Sequence, residues 1–249
     1  MRIGLITDIH SNLQALDAAL EFLHQQDVET ILCAGDLVCY GANPSDVLQR
    51  LQSRHIPAVK GNYDEAVALS LSTASRKPSS PRNEPLKKAA LQWTQEVVTE
   101  DDREYLRNLP WRSSHRYAGN WVHVLHAGLD YLDEWVAPDA PDSLQRVAAT
   151  FPGDIVVLGH THLQFVEEIE GTLLVNPGAI GRSLDGDPRT AFAILNVATR
   201  EVEFHRVEYA IEQAVAAVDQ SSMPNEIGLL IKHAARRIDE LEVEAGVKG

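Results

Sequence analysis

Apolar and polar positions alternate along the first part of the chain in a way that predicts strands separated by helices. Residues 3–6, 30–33 and 57–59 are short apolar runs of the kind that form buried strands. Between them, leucines recur at helical spacing over residues 13–23, and Pro44 suits the first turn of a helix over residues 44–51. This βαβ order predicts an α/β fold with a mostly parallel sheet in this region.

The pattern changes after residue 66. Residues 72–85 are rich in Ser, Pro and charged residues and predict a mobile loop, whereas residues 86–98 and 101–110 have helical patterns. We therefore expect residues 66–120 to be a helical cap or loop insertion within a single domain that spans residues 1–249.

Strand-like runs return in the second half, at residues 121–125, 155–158, 172–175, 191–195 and 202–207. Turns rather than long helices join the later ones, so a second, more antiparallel sheet is expected. Residues 209–246 are a predicted C-terminal helical segment, with an apolar stripe of Ile227, Leu230, Ile231, Ala234, Ile238 and Leu241.

Most of the predicted strands end in residues that can bind a metal ion. These residues are Asp8, His10, Asp36, Asn62, His126, His160 and His162, and glycines stand directly before Asp36, Asn62 and His160. In α/β sheets, side chains at the carboxyl ends of strands meet at one edge even when they are distant in sequence. Each residue alone has an ordinary alternative as a turn, helix-cap or strand-end residue, but their joint placement favours a metal site.

The chemistry of these donors favours a particular class of metal. Two carboxylates, one amide oxygen and four imidazoles, with no thiolate, suit Mn, Fe or Zn rather than Ca or a structural Zn. The donors exceed the need of one ion, so two divalent ions that share a carboxylate are expected. Two dications and two carboxylates leave a net charge of about +2, which favours an anionic substrate.

Charge and composition narrow the range of partners. The formal net charge of -14 provides no broad basic surface for a nucleic-acid backbone. Cys33 and Cys39 do not have a CxxC spacing, and the N-terminal residues lack the hydrophobic region of a signal peptide. No apolar stretch approaches the roughly 20 residues that span a bilayer. We expect a cytoplasmic protein with a small phosphorylated substrate or nucleotide, no membrane partner and no nucleic-acid partner; the oligomeric state stays open.

The ligand motifs occur in an order that resembles a known family. That order is Asp8-Ile9-His10, Gly35-Asp36, Gly61-Asn62, His126 and Gly159-His160-Thr161-His162. It resembles the calcineurin-like metallophosphoesterases over about residues 1–207, and GDLVCYGANP, GHTH and VNPGAIG resemble their small bacterial YfcE-like and diadenosine-tetraphosphatase-like branch. Any one motif is weak evidence, whereas all five in order are specific.

The resemblance implies a fold and a division of the ligands. It implies a four-layer α-β-β-α sandwich with a small helical cap insertion, and attack on phosphorus by a metal-bound hydroxide. One metal would lie on Asp8, His10, Asp36 and His162, and the other on Asp36, Asn62, His126 and His160. Asp36 would then bridge the two ions, and the implied catalytic positions are Asn62, Tyr63, Asp64 and His126.

One position departs from many members of this family. They carry histidine after the Gly-Asn pair, where this chain has Tyr63, followed by Asp64. A tyrosine with a pKa of roughly 10 is a poorer general acid at pH 7 than imidazole. The departure predicts a preference for diesters over monoesters, and Asp64 is expected to orient a histidine introduced at position 63.

Other residues are candidates for holding substrate phosphate. Arg182 and Arg189 follow the Asn176-Pro177-Gly178 turn, and Tyr40 is placed to face the same opening, although an ordinary loop is an equal alternative. Lys87 and Lys88 are interpreted as solvated helix positions. His24, His55, His115, His205 and His233 are interpreted as surface or helix residues, and strand alternation sends His123 to the face opposite His126.

The predicted function is hydrolysis of phosphodiester or nucleotide-like phosphoester bonds at a dinuclear metal centre. A non-catalytic binding or scaffold protein on the same fold is one alternative, and it would be marked by lost ligands, whereas every ligand is present here. A nuclease of the same superfamily is another alternative, and the acidic charge balance disfavours it.

Overall fold

The computed structural model describes residues 1–241 as strands and helices in mixed order. The strands are β1 Arg2–Ile6, β2 Thr30–Cys33, β3 Arg112–Tyr117, β4 Asn120–Leu125, β5 Ile155–Val157, β6 Gln164–Ile169, β7 Thr172–Pro177, β8 Thr190–Asn196 and β9 Glu201–Val207. The helices are α1 Leu13–His24, α2 Pro44–Ser53, α3 Asn62–Ala68, α4 Asn83–Val97, α5 Glu100–Asn108, α6 Pro141–Thr150, α7 Ile211–Asp219 and α8 Glu226–Lys232.

Two mixed sheets form the centre of the molecule. The first has the order β2-β1-β8-β9, in which β1 and β2 are parallel and the other pairs are antiparallel. The second has the order β3-β4-β5-β7-β6, with parallel pairing in its middle and antiparallel pairing at both edges. The later strands do supply a second sheet, as predicted, but the prediction that it is the more antiparallel one is wrong, because its middle is parallel and the antiparallel strands β8 and β9 complete the first sheet beside β1. The pairing of β8 with β1 joins distant parts of the chain, which turn lengths between neighbouring strands cannot reveal.

Apolar residues fill three layers, one between the sheets and one outside each of them. Alternation along β1 sends Ile3 and Leu5 into the layer between the sheets, where they meet Val122 and Val124 of β4. Ile6 faces the other way, into the layer that packs against α1. On the far side of the second sheet, residues of α6 cover the outward face of β4, β5 and β7. This arrangement confirms the four-layer α-β-β-α sandwich.

Sequence patterns missed four elements, β3, β6, α3 and α6. The strands β3 and β6 lie at the two edges of the second sheet and have the polar sequences RSSHRY and QFVEEI. Edge strands bury less surface, so they lack the apolar signal of central strands. Residues 57–59 form only an isolated bridge from Ala58 to Cys33 instead of the predicted strand.

The region of the expected cap contains α4, α5 and then β3, so its helical part ends at Asn108 and its last residues join the second sheet. Near the C-terminus the helix breaks after Lys232, and helical structure resumes at Ile238. Residues 242–246 of the predicted C-terminal segment lie outside the described residues. Within residues 1–241, none of the helices has the length and apolar character to cross a membrane.

Candidate metal centre

Loops at the carboxyl ends of four strands bring the predicted ligands together at one edge of the two sheets. Backbone hydrogen bonds lock these loops to one another: Asp8 N donates to the Gly35 oxygen at 2.9 Å, and His10 N donates to the Asp36 oxygen at 3.0 Å. The ligands with positive φ are Asp8, His10, Asp36, His160 and His162, with angles of 51°, 47°, 53°, 64° and 61°. Left-handed backbone costs energy for any residue with a Cβ, although Asp and His adopt it more readily than most. The hydrogen bonds between the loops hold these residues in that conformation.

Two glycines allow the loops to approach this closely. Gly35 has φ of +91°, and a Cβ added there would lie 2.8 Å from the Gly61 nitrogen. A Cβ added at Gly61 would lie 2.1 Å from Oδ1 of Asp36, which is closer than atoms can pack. Both positions therefore require glycine so that the Asp36 and Asn62 loops can meet.

A first cluster is formed by Asp8, His10 and His162, all of which are buried. Nε2 of His162 lies 3.2 Å from Oδ1 of Asp8 and 3.2 Å from Nε2 of His10. Oδ1 of Asp8 has no hydrogen-bond partner, whereas Oδ2 accepts from the Thr7 hydroxyl at 2.9 Å and from His160 N at 3.0 Å. One carboxylate oxygen and two imidazole nitrogens thus converge on one point.

A second cluster is formed by Asp36, His126 and His160. Asn62 joins it, because its Oδ1 lies 3.0 Å from Nε2 of His126 and 3.1 Å from Nδ1 of His160. The Asn62 side-chain nitrogen donates to the Ala74 oxygen at 2.9 Å, which turns the amide oxygen toward the two rings.

Asp36 lies between the two clusters. Its Oδ2 is 3.7 Å from Nε2 of His10 in the first cluster and 3.5 Å from Nε2 of His126 in the second. Its Oδ1 accepts a hydrogen bond from Tyr63 N at 2.9 Å, which fixes the carboxylate. A single oxygen atom is therefore within reach of donors from both clusters.

Backbone carbonyl groups determine which ring nitrogen of each histidine faces the centre. Nδ1 of His10 lies 3.2 Å from the Val38 oxygen, and Nδ1 of His126 lies 2.7 Å from the Ala34 oxygen. Nδ1 of His162 contacts the Arg182 oxygen in the same way. Nδ1–H donation to a carbonyl leaves Nε2 free to bind a metal. His160 differs, because its Nδ1 faces the Asn62 oxygen.

Burial and mutual charge perturb the titration of these groups. Burial lowers the pKa of His10 well below its ordinary value, and burial together with His126 lowers the pKa of His160 to about 3. Burial, reinforced by the negative charges of Asp64 and Asp8, raises the pKa of Asp36. Burial alone would raise the pKa of Asp8, but the imidazoles of His162, His126 and His10 outweigh it and lower that pKa. Cation binding requires neutral imidazoles and ionised carboxylates. His10 and His160 are therefore already in the binding form, and a cation would favour the ionised form of Asp36.

The donor set fits divalent cations. Asp8 Oδ1 is a buried carboxylate oxygen without a hydrogen-bond partner, and a cation would satisfy it. The Nε2 atoms of His10 and His162 face each other at 3.2 Å, where neutral rings with Nδ1–H both present lone pairs. A positive ion between them would remove this repulsion.

Two tyrosines cover one side of the centre. The hydroxyl groups of Tyr40 and Tyr63 lie 2.5 Å apart, and the edge of His10 packs against both rings. Burial raises the pKa of Tyr40 to about 12 and raises that of Tyr63 well above its ordinary value. Both phenols therefore keep their protons at neutral pH, and because one hydroxyl donates to the other, one O–H of the pair is free to donate to a ligand.

Asp64 is buried beneath this site rather than exposed to it. Its Oδ1 accepts from Leu37 N at 2.8 Å and Val38 N at 3.3 Å, and its Oδ2 accepts from Gly61 N at 2.8 Å. The carboxylate thus connects the loop after Asp36 to the start of α3. Because both oxygens are engaged by the backbone, Asp64 is not available to orient a ring at position 63.

The metal clusters open into a pocket of about 460 Å³. Tyr40 and Arg182 line it, and Arg182 stacks over the Tyr40 ring at 4.5 Å; their contact with substrate phosphate stays a prediction. Arg189 lies outside it, exposed and paired with Asp187 at 2.6 Å. Asn176 is also away from substrate, since its side-chain nitrogen donates to the Gly159 oxygen at 2.7 Å and braces the loop of His160.

Sequence reasoning missed several cationic residues that line this pocket. Lys87 lies in the pocket rather than on a solvated face of α4, and Lys77, Arg236 and Arg237 line it as well. These residues come from loops and a helix whose composition resembles an ordinary solvated surface. The sequence feature that could have indicated these residues is the pair Arg236-Arg237, which interrupts the apolar stripe of the C-terminal segment.

His123 lies on the face of β4 opposite the metal clusters, as strand alternation predicts. Its ring lies 3.0 Å from Asp154 and stacks on Phe151 at 4.3 Å. These contacts are on the face of β4 opposite the one that carries Val122 and Val124, and away from both metal clusters.

Comparisons with known proteins agree with this geometry. The model of the calcineurin-like phosphoesterase superfamily domain matches residues 1–200. An uncharacterized protein of Methanocaldococcus jannaschii is 29% identical over 243 residues, which cover 91% of this chain and 95% of the relative. A symmetrical bis(5'-nucleosyl)-tetraphosphatase of Paracidovorax citrulli is 30% identical over 158 residues, which cover 61% of this chain and 51% of that protein. The crystal structure of a metallophosphoesterase from Sphaerobacter thermophilus is 26% identical, with a TM-score of 0.77, and the match covers 94% of this chain and 99% of that one.

Proposed function

The chain belongs to the calcineurin-like phosphoesterase superfamily, and from that premise we propose that it is a dinuclear, metal-dependent hydrolase of phosphodiester or nucleotide-like phosphoester bonds. The observation that carries the proposal is the position of Asp36, whose Oδ2 lies 3.7 Å from His10 and 3.5 Å from His126. A shared carboxylate between two donor clusters is what a two-metal site requires.

The proposed ligands divide into two sets that share one residue. The first ion is held by Asp8, His10, Asp36 and His162, and the second by Asp36, Asn62, His126 and His160. When bound, such ions polarise the phosphoryl group and lower the pKa of water. Mn, Fe and Zn are the proposed metals, since the donors are carboxylate, amide and imidazole groups.

The protein's own residues hold and orient the substrate. Arg182 and the hydroxyl pair of Tyr40 and Tyr63 line the pocket beside the clusters and are proposed to donate hydrogen bonds to phosphate oxygens. His126 acts as a ligand, and Asp64 positions the loops of Asp36 and Asn62 through its three backbone hydrogen bonds.

The substrate preference follows from Tyr63. A phenol with a raised pKa holds its proton too tightly to deliver it efficiently to a departing alkoxide. Substrates whose leaving group needs little protonation are therefore favoured, such as aryl diesters and nucleotide anhydrides. The similarity to a nucleosyl-tetraphosphatase supports the nucleotide-like class.

The cytoplasm is the proposed location. Cys33 and Cys39 are both buried as free thiols, which suits a reducing compartment.

The test combines metal analysis with two chromogenic substrates. Protein titrated with Mn²⁺ should bind two ions per chain and hydrolyse bis-(p-nitrophenyl) phosphate faster than p-nitrophenyl phosphate. Asp36→Asn should weaken both sites and abolish turnover. Asp101→Asn makes the same chemical change at an exposed position of α5 and should leave both unchanged.

Each alternative makes a different prediction in this assay. A scaffold protein would bind metal without turnover of either substrate. A nuclease would cleave single-stranded DNA at rates comparable to the diester. Binding of a single ion under saturating Mn²⁺ would contradict the bridging role of Asp36.

A further inference from the structure

One side of the pocket is built from cations that do not belong to the metal clusters. We call this surface the basic wall, and it consists of Lys77, Lys87, Arg182, Arg236 and Arg237. The metal ligands Asn62, His160 and His162 line the same pocket. The wall therefore shares a cavity with the metal centre.

The concentration of positive charge here contrasts with the rest of the protein. The chain has a formal net charge of -14, but the acidic residues that line this pocket are Asp36 and Asp133. Asp36 belongs to the metal clusters, and Asp133 is paired with Arg76, whose backbone N and side-chain Nε donate to it at 2.7 and 2.6 Å. Within residues 1–241, two further carboxylates lie beside the wall without lining the pocket: Glu240 lies 3.9 Å from Arg237, and the charge of Glu84 acts on Lys87. The five cations of the wall outnumber the carboxylates that line the pocket.

Two members of the wall are incompletely satisfied within the described chain. Arg182 is 8% exposed, and its Nε has no hydrogen-bond partner. Lys87 forms no ion pair with any of residues 1–241, and burial lowers its pKa despite the opposing negative charge of Glu84. An anion in the pocket would satisfy both groups.

Contacts between the cap and the C-terminal segment hold the wall in place. The buried Asn83, at the start of α4, donates from its side-chain nitrogen to the Arg236 oxygen at 3.1 Å and accepts from Ile238 N at 3.0 Å. Ser80 donates to Asp239 at 3.2 Å. These hydrogen bonds hold residues 233–239, which include the interruption of the C-terminal helix, against the cap. This segment lies beyond residues 1–200, the part that the family model matches.

We propose that the basic wall binds a second phosphate group, so that the site takes small molecules that carry at least two phosphate groups. This inference rests on the proposed function, which supplies the site for the first phosphate at the metal clusters. The pocket volume of about 460 Å³ is in the range of small-molecule sites and suits a compact substrate rather than a macromolecule.

The experiment compares two probes that differ by one phosphate-type group. Isothermal titration calorimetry on the full-length protein, with Mn²⁺ in excess, measures binding of AMP and of α,β-methylene-ADP, whose bridging carbon resists hydrolysis. Wild type should bind the methylene-ADP at least tenfold more tightly than AMP. A charge-assisted hydrogen bond changes affinity by roughly tenfold to 100-fold, so Lys87→Gln and Arg237→Gln should remove most of that difference while leaving AMP binding nearly unchanged.

Lys88→Gln is the matched control, because Lys88 is exposed on the same helix and lies outside this pocket. It should keep the wild-type ratio of affinities. Arg237 is exposed, so its replacement keeps the test valid if Lys87→Gln fails to fold, which circular dichroism would reveal.

The outcomes separate this inference from the proposed function. Equal affinity for both probes in wild type, or an unchanged ratio in both wall variants, overturns the second-phosphate site. Hydrolysis of bis-(p-nitrophenyl) phosphate is measured on the same preparations. Turnover without the difference in affinity overturns this inference alone, whereas the difference without turnover overturns the proposed function alone.

Discussion

Replacing Asp36 with asparagine should affect metal binding and fold stability in opposite directions. Asp36 is buried, and burial together with the charges of Asp64 and Asp8 raises its pKa. Without cations, its negative charge therefore destabilises the folded protein at pH 7. Asparagine has the same shape, removes the charge and keeps an oxygen that can accept the 2.9 Å hydrogen bond from Tyr63 N.

The expected gain is that of an ordinary stabilising substitution, about 0.5–2 kcal/mol. For a domain of this size, 1 kcal/mol shifts Tm by about 2–4 °C. Metal-free Asp36→Asn should therefore melt roughly 1–8 °C above wild type. A ligand at a concentration of 100 times its Kd stabilises the folded state by about 2.7 kcal/mol. Metal at such a concentration should stabilise the wild type by this amount, and Asp36→Asn should lose most of that stabilisation.

Asp8→Asn is the matched control, and it should change the stability of the metal-free protein in the opposite direction. Nearby imidazoles outweigh burial and lower the pKa of Asp8, and its oxygens accept from Thr7 at 2.9 Å and from His160 N at 3.0 Å. Its charge therefore stabilises the metal-free fold at neutral pH. Asp8→Asn should destabilise that form by about 1–3 kcal/mol, because both donors then bond a neutral amide oxygen instead of a charged carboxylate.

The stability gain from Asp36→Asn should depend on pH. A carboxyl group whose folded pKa is raised opposes folding only above its unfolded pKa of about 3.9, so the gain from Asp36→Asn should be present at pH 7 and fade toward pH 4. Differential scanning calorimetry of chelator-treated and Mn²⁺-saturated protein measures each case. A lower Tm for metal-free Asp36→Asn than for wild type, or an undiminished Tm increase with Mn²⁺, would refute the electrostatic reasoning.

Three further predictions address other parts of the molecule. Tyr63→His should raise kcat on p-nitrophenyl phosphate by about tenfold and change the diester rate less. The gain should be below the 10²–10⁴-fold of a well-positioned acid, because the carboxylate of Asp64 is already bonded to the backbone and cannot orient the new ring. The absence of any gain in fully metallated protein would contradict this prediction. Burial raises the pKa of Cys39 to about 12 and that of Cys33 well above its ordinary value, so native protein at pH 8 should not react with Ellman's reagent, whereas unfolded protein should release two equivalents; rapid native labelling would disprove their burial. Residues 72–85 should exchange amide hydrogens quickly without substrate and slowly with it, and uniform protection in the free protein would rule out a mobile loop.

The sequence alone determined the family and predicted which side chains would come together as candidate metal ligands. Each of these residues directly follows an apolar run, and parallel strands bring their carboxyl ends to one edge, so order and position sufficed to predict the two clusters formed by Asp8, His10 and His162 and by Asp36, His126 and His160. The resemblance was confirmed by the match of the family model to residues 1–200. Central strands, α1 and α2 were also predictable, because buried elements carry strong apolar periodicity. The helices α4 and α5 were predictable from their helical pattern, although α5 buries only Leu106.

Only the tertiary structure decided which distant segments meet. The pairing of β8 with β1 joins opposite ends of the family domain, and no local pattern encodes it. Asp64 appeared catalytic by its position beside Tyr63, but the folded chain directs its carboxylate to backbone N–H groups on two loops. The basic wall combines a loop, a helix and a broken C-terminal helix through the side chain of Asn83. Charged residues on solvated faces and in a pocket have the same local sequence pattern, so their role depends on the packing that surrounds them.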